Sequence, residues 1–301
     1  MASVPRKLKE PREYPEQIRI LREEHGLLIG DDEYAIDVLS RVNYYRFCAY
    51  GLSLVGPKDK EKFIPGTTFE EIHALYRFDS RLRNLLLALL EPFEIELRTK
   101  VAYHLAINYG AESYKDPALF RETRNREGTL VHTSINDRFK KAVEKESNKL
   151  FVRHHNEEYE GRFPVWVAVE LFTFGMISQL FAIMKPKDQK IVARQFGLQN
   201  PNILDTWSHA FSSLRNRCAH NDRIYNAALP QLPSLLREDK IHLIKPENRV
   251  FTVILALKRI TSDANLWEWF YHELFCLMTV HPEINLPCIG FPNNWQKVLA
   301  P

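Results

Sequence analysis

The sequence predicts an all-α protein, and three observations carry that reading. Apolar residues recur at three- and four-residue intervals along most of the 301 residues. Alternating strand patterns are scarce, with only residues 249–254 ambiguous. Glycine and proline fall mostly at the ends of the periodic segments, where helices start and stop.

The elements follow in chain order. Tyr14-Pro15-Glu16-Gln17 sets a proline in the first turn of a helix that buries Ile18 and Leu21 and stops at Gly26. Asp31 and Asp32 cap a short helix carrying Ile36 and Leu39. The pattern then breaks between Gly51 and Thr67 into a loop or small hairpin, the best candidate linker. Thr68-Phe69-Glu70-Glu71 is a capping box that opens a helical pattern over residues 69–109. Unbroken, that helix would run about 60 Å at 1.5 Å per residue, long for a compact domain, so Pro92 is expected to kink or split it before Gly110 ends it.

After a polar region, a helix is expected through Ile135, Phe139 and Val143, with Lys140, Lys141, Lys145 and Lys149 on its outer face. That face reads first as solvated and second as a phosphate-contacting strip. Residues 164–184 are the most apolar stretch, but Glu170, Thr173, Ser178 and Gln179 interrupt it, so it reads as a buried core helix and not a membrane span. Pro201-Asn202 begins a helix with the stripe Leu204, Trp207, Phe211, Leu214 and Cys218, and two more patterns lie near 250–260 and 266–278. The expected organisation is an N-terminal helical elaboration and linker, residues 1–67, on a helical domain, 68–301, the two possibly continuous.

Composition excludes several classes. With 45% hydrophobic and 26% charged residues the chain is globular, not disordered. A net charge of +3 is too small to identify a nucleic-acid binder by itself. Cys48, Cys218, Cys276 and Cys288 are few and widely spaced, which supports neither a zinc site nor a disulfide framework. The first 17 residues lack the apolar core of a signal peptide, so a reducing cytoplasm is the expected location.

The sharpest local feature is Leu214-Arg215-Asn216-Arg217-Cys218-Ala219-His220-Asn221-Asp222-Arg223. Arginine offers a permanent planar charge suited to phosphate, and histidine exchanges a proton near neutrality. Together they supply what RNA cleavage without a metal needs: proton transfer and stabilisation of charge building on phosphorus. Five residues correspond to about 140° of helical rotation, so Arg215 and His220 do not share a face of an ideal helix. To meet one phosphate, the helix must end near Ala219, the arginine must curl round, or a second copy must complete the site. On spacing alone, the pair reads first as an amphipathic helix ending in a capping histidine.

The wider sequence resembles the Abi-like (abortive infection) family, which belongs to the HEPN superfamily of helical RNA-cleaving domains. The resemblance rests on Tyr14-Pro15-Glu16-Gln17, His25-Gly26-Leu27, Asn43-Tyr44-Tyr45-Arg46, Phe63-Ile64-Pro65-Gly66-Thr67-Thr68-Phe69 and Leu75-Tyr76-Arg77-Phe78-Asp79-Ser80-Arg81-Leu82-Arg83. Glu94-Ile95-Glu96-Leu97-Arg98-Thr99, Phe163-Pro164-Val165-Trp166-Val167-Ala168-Val169-Glu170, Phe174-Gly175, the 214–220 segment and Gly290-Phe291-Pro292 follow in the same order. It implies a HEPN-type helical bundle core and a metal-independent endoribonuclease toxin of phage defence, with no cofactor. The family's arginine–histidine motif falls on Arg215 and His220, and its polar residue on Asn216. The products implied are a cyclic phosphate and a free 5′-hydroxyl. Further implied are RNA as substrate, a homodimer in which two motifs share one cleft, and a small RNA that restrains some members. Where the family often has a second histidine, this chain has Asn221.

Arg217 and Arg223 are candidate RNA-binding or site-supporting residues, as are Glu94 and Arg98, which also form an ordinary i,i+4 helix pair. Tyr45 and Arg46 belong to a segment that reads as buried aromatics with a flanking cation or as a nucleotide-stacking patch. His154-His155 is expected in an exposed polar loop, His104 as a satisfied core histidine, and Asp79, Arg81 and Arg83 as a surface charge network. No metal-ligand cluster emerges. A non-catalytic helical RNA- or protein-binding module is the rival reading; a metal-dependent nuclease lacks the clustered ligands it needs.

Overall fold

The computed structural model describes residues 8, 10–57 and 59–301. Residues 1–7, on which the expectation of a missing signal segment partly rests, lie with Lys9 and Lys58 outside the described residues. The described chain is all-α, and its only bridges are isolated ones such as Val55–Phe63.

The elaboration contains α1 (Tyr14–Arg19), prolonged by a wider π turn to Glu24, then α2 (Asp32–Arg41) and α3 (Tyr44–Gly51). Gly26 takes the left-handed φ of +70° that lets the chain turn away after the first helix. Asp31 caps α2 by accepting from Tyr34 N, and Asn43 caps α3 by accepting from Tyr45 N. The 51–67 segment forms a small hairpin, with Gly56 N donating to Lys62 O and Ile64 N to Leu54 O. It is no loose tether, because Phe63 N donates to His25 O and Leu28 N to Thr67 O.

The spine of the molecule is α4 (Phe69–Tyr109), opened by the expected capping box at Thr68 and Glu71. It overturns the expectation of a split at Pro92: α4 runs through the proline as one helix of 41 residues. Pro92 lies on the exposed side, and Ala88, whose carbonyl proline cannot serve, is half-buried. Length is tolerated because helices from both the elaboration and the rest of the chain pack along α4. After α4 come α5 (Val131–Lys145), α6 (Leu150–Glu158), α7 (Val165–Ala168), α8 (Phe174–Ile183), α9 (Pro186–Arg194) and α10 (Pro201–Ala219), of which α5 and α6 flank rather than line the spine. The chain closes with α11 (Arg237–Lys240), α12 (Val250–Ile260), α13 (Ala264–Val280), α14 (Leu286–Ile289) and α15 (Trp295–Leu299). One hydrophobic cluster runs from Ile18 to Leu299.

Further expectations need correction. The apolar 164–184 stretch is buried but is not a single helix: Thr173 turns its hydroxyl to Met176 N and starts α8 afresh. His154 and His155 sit on α6, not in a loop, and the His155 ring stacks on Phe163 with centroids 5.1 Å apart. The ambiguous 249–254 segment is the start of α12. His104 is buried, as expected, and bonds to Asp188 Oδ1 at 2.9 Å. No helix is long and apolar enough to cross a membrane among the described residues.

Candidate functional site

The stripe Leu204, Trp207, Phe211, Leu214 and Cys218 buries one side of α10 against α4, α8 and α9. Arg215, at the edge of that stripe, therefore points along the α10–α4 seam. There its Nε donates to Glu94 Oε2 and its Nη2 to Glu94 Oε1, each at 3.0 Å, a two-pronged engagement of one carboxylate. Arg98 donates to the same carboxylate from one turn along α4 and to Phe172 O at 2.8 Å. Glu94 is buried, with 7% of its side chain exposed, while 31% of Arg215 remains open. The cluster sets two guanidinium groups on the Glu94 carboxylate, and Glu91 close by brings the formal charge of the lining to zero. It lines an open cleft of about 420 Å³ with Leu87, Glu91 and Ile95.

Asn216 is exposed, and its Oδ1 accepts from Arg215 Nη1 at 3.3 Å. The helix ends at Ala219, and His220 is its C-cap residue. Asn221 N donates to Cys218 O and Asp222 N to Arg217 O, a Schellman ending whose left-handed position is Asn221 at φ +59°. The His220 side chain is exposed and has no hydrogen-bond partner among the described residues. The cleft holding Arg215 and the imidazole thus lie at the same end of α10, on different sides of it. Cys218 takes no part: burial pushes its thiol up to about 12.

The turn after His220 is fixed from several directions. Arg217 Nη2 donates to Arg223 O at 2.8 Å, and Arg223 donates to Ala49 O on α3. Arg46 Nη1 donates to Asn221 O at 2.6 Å. Below them, Asp79 Oδ1 accepts from Ile224 N at 3.1 Å and Tyr225 N at 2.7 Å, and its Oδ2 from Tyr50 OH at 2.7 Å and from Arg83. Burial pushes the Asp79 carboxyl above its ordinary range, and these donors oppose that push.

This network overturns two expectations. Asp79 and Arg83 are buried, at 0% and 3% exposure, so only Arg81 of the three belongs to the surface. A signal was present: Asp79 and Arg83 fall inside the apolar stripe of Leu75, Phe78, Leu82 and Leu86, as Glu94 does beside Leu90 and Leu97. Second, Tyr45 is not a buried aromatic but 74% exposed, while Tyr44 is half-buried. No group of three His, Cys, Asp or Glu side chains suited to hold a metal occurs among the described residues.

An all-α chain whose longest helix and α10 present an arginine–carboxylate cluster, with an exposed histidine at the end of α10, is the class the fold and site define. The family model of the Abi-like proteins matches residues 37–226, more than half of the chain and the whole stretch from Arg46 to Arg223. The chain belongs to the Abi-like protein family, which suggests a role in abortive-infection defence and is compatible with nuclease activity. No curated protein and no solved structure matches it.

Proposed function

We propose that the protein is a metal-independent endoribonuclease of HEPN type that acts in abortive-infection defence as a homodimer. The observation that carries this reading is the Arg215 fork fixed on buried Glu94 at an open cleft, with His220 unpartnered at the end of the same helix. Glu94 holds the guanidinium in place and leaves N–H groups of Nη1 and Nη2 for an incoming phosphate oxygen. These directed N–H groups, rather than a net charge, would stabilise the charge that builds on the phosphate oxygens in the transition state.

The reaction balances without a metal. The ribose 2′-oxygen bonds to phosphorus, the bond from phosphorus to the 5′-oxygen breaks, and the products are a 2′,3′-cyclic phosphate and a 5′-hydroxyl. A base takes the 2′-hydroxyl proton and an acid returns one to the leaving 5′-oxygen. One imidazole per chain serves one of these roles, and the partner's copy serves the other in the dimer. Asn216 steadies the guanidinium from the solvent side.

Incubation of wild-type and His220→Ala protein with total RNA in EDTA tests the reading. Wild type should release cyclic-phosphate ends, and the variant, with an unchanged circular-dichroism spectrum, should lose at least about 100-fold in rate. Equal cleavage by the variant would sink the assignment. RNA binding that survives the substitution, with no product from either protein, would favour the binding-module reading instead. Light scattering on the same samples reads the dimer.

A further inference from the structure

We propose that α3 supplies a base-stacking subsite beside His220, which makes the substrate an RNA whose nucleotide next to the cut is unpaired. The proposal rests on the ribonuclease reading and names the substrate class for that same site.

Two contacts bring α3 to the turn that follows His220. Arg46 reaches Asn221 O at 2.6 Å, and Ala49 O receives Arg223. Tyr45 and Ala49 are i,i+4 neighbours on α3, and Arg46 and Ala49 are i,i+3 neighbours, so the three share one edge of the helix. That edge ends in the Tyr45 ring, a large aromatic surface 74% open to water with no core to fill. Asn43 caps α3 by accepting from Tyr45 N at 2.9 Å, which fixes the backbone from which the ring projects, and Tyr44 meets the ring nearly at right angles with centroids 6.1 Å apart. Tyr44 itself is half-buried, and burial raises its phenol above the ordinary range, so it remains a neutral wall.

An exposed aromatic next to an arginine is the arrangement that stacks a single-stranded base, whatever its identity. In a duplex the π-face of each base is covered by its neighbours, so only a loop, a bulge or a single strand can occupy the ring. A base on Tyr45 places its own or the adjoining phosphate near the His220 turn.

The test uses a short RNA carrying 2-aminopurine, free or annealed to its complement, with wild type, Tyr45→Ala, Tyr45→Leu and Tyr45→Phe. Wild type should quench the fluorophore in the single strand and cut it in preference to the duplex. Tyr45→Ala and Tyr45→Leu should lower binding and kcat/KM by roughly 5- to 140-fold, the worth of one stacked base, and Tyr45→Phe should restore both. Unchanged binding and kcat/KM in Tyr45→Ala, or equal cutting of duplex and single strand, overturns the subsite. A changed oligomeric state with RNA binding intact does so too. Quenching that depends on the Tyr45 ring without any cleavage supports the subsite and sinks the ribonuclease reading alone, so the two fail separately.

Discussion

Asn221 is where residue-level physics meets the site most directly. It adopts φ +59° because a Schellman ending requires a left-handed residue one place past the C-cap, and asparagine tolerates that region better than other side chains with a Cβ. Its identity is thus explained by the backbone, not by proton transfer, at the position where many relatives are expected to place a second histidine. Asn221→Gly should leave the unfolding free energy from urea titration within about 0.5 kcal/mol of wild type, while Asn221→Val should cost about 1–2 kcal/mol. Equal stability of the two variants would show that the turn does not hold this conformation. The Arg215, Asn216 and His220 trio was legible because the three stand within six residues. The Glu94–Arg98 pair was visible as ordinary helix support; its bond to Arg215 was not, since 121 residues separate the partners. Charge alone puts Asp79 and Arg83 at the surface, whereas their place in the apolar stripe puts them inside, and the stripe prevails.

At the scale of elements, the 3.6-residue period located most helices, and what it missed were breaks and joins. The period cannot say that Thr173 ends one segment and caps the next, since a capping hydroxyl and an interior one look alike in sequence. Nor can it say that α4 continues through Pro92, because that depends on which side of the helix faces water. One join carries a pH dependence. Tyr34 OH on α2 meets His73 Nδ1 on α4 at 2.6 Å. Burial first, then the Arg77 and Arg41 charges, hold His73 below its ordinary value near 6.5. The folded chain therefore binds this proton less readily than the unfolded chain. Stability from this group is intact above about pH 6.5 and falls as pH drops below it toward the depressed native value. His73→Gln, which keeps a polar partner for Tyr34 but does not titrate, should flatten the fall in urea midpoint between pH 6.5 and 5. An identical acid slope in both proteins would remove His73 from the account.

At the scale of the whole molecule, the contacts between the elaboration and the rest decide how the protein unfolds. Tyr50 bonds to Asp79, Asp79 holds the backbone of Ile224 and Tyr225, Arg46 holds Asn221, and Arg223 holds Ala49. Buried apolar residues continue the tie: Phe47 stacks on Phe69 with centroids 4.2 Å apart, and both belong to the cluster that reaches Leu299. Pulling residues 1–67 away would leave Asp79 and Arg83 buried without Tyr50 and open the start of α4 to water, a penalty of several kcal/mol. That penalty makes separate melting of the elaboration unfavourable. The five tryptophans, Trp166, Trp207, Trp267, Trp269 and Trp295, all lie outside residues 1–67, whereas far-ultraviolet circular dichroism sees every helix. Urea unfolding should therefore give one transition with the same midpoint by tryptophan fluorescence and by circular dichroism. An early loss of helix that the tryptophans do not see would make the elaboration a unit of its own and leave the His220 turn without its anchor. A single coincident transition would mean that the site's last wall, α3, exists only when the whole chain is folded.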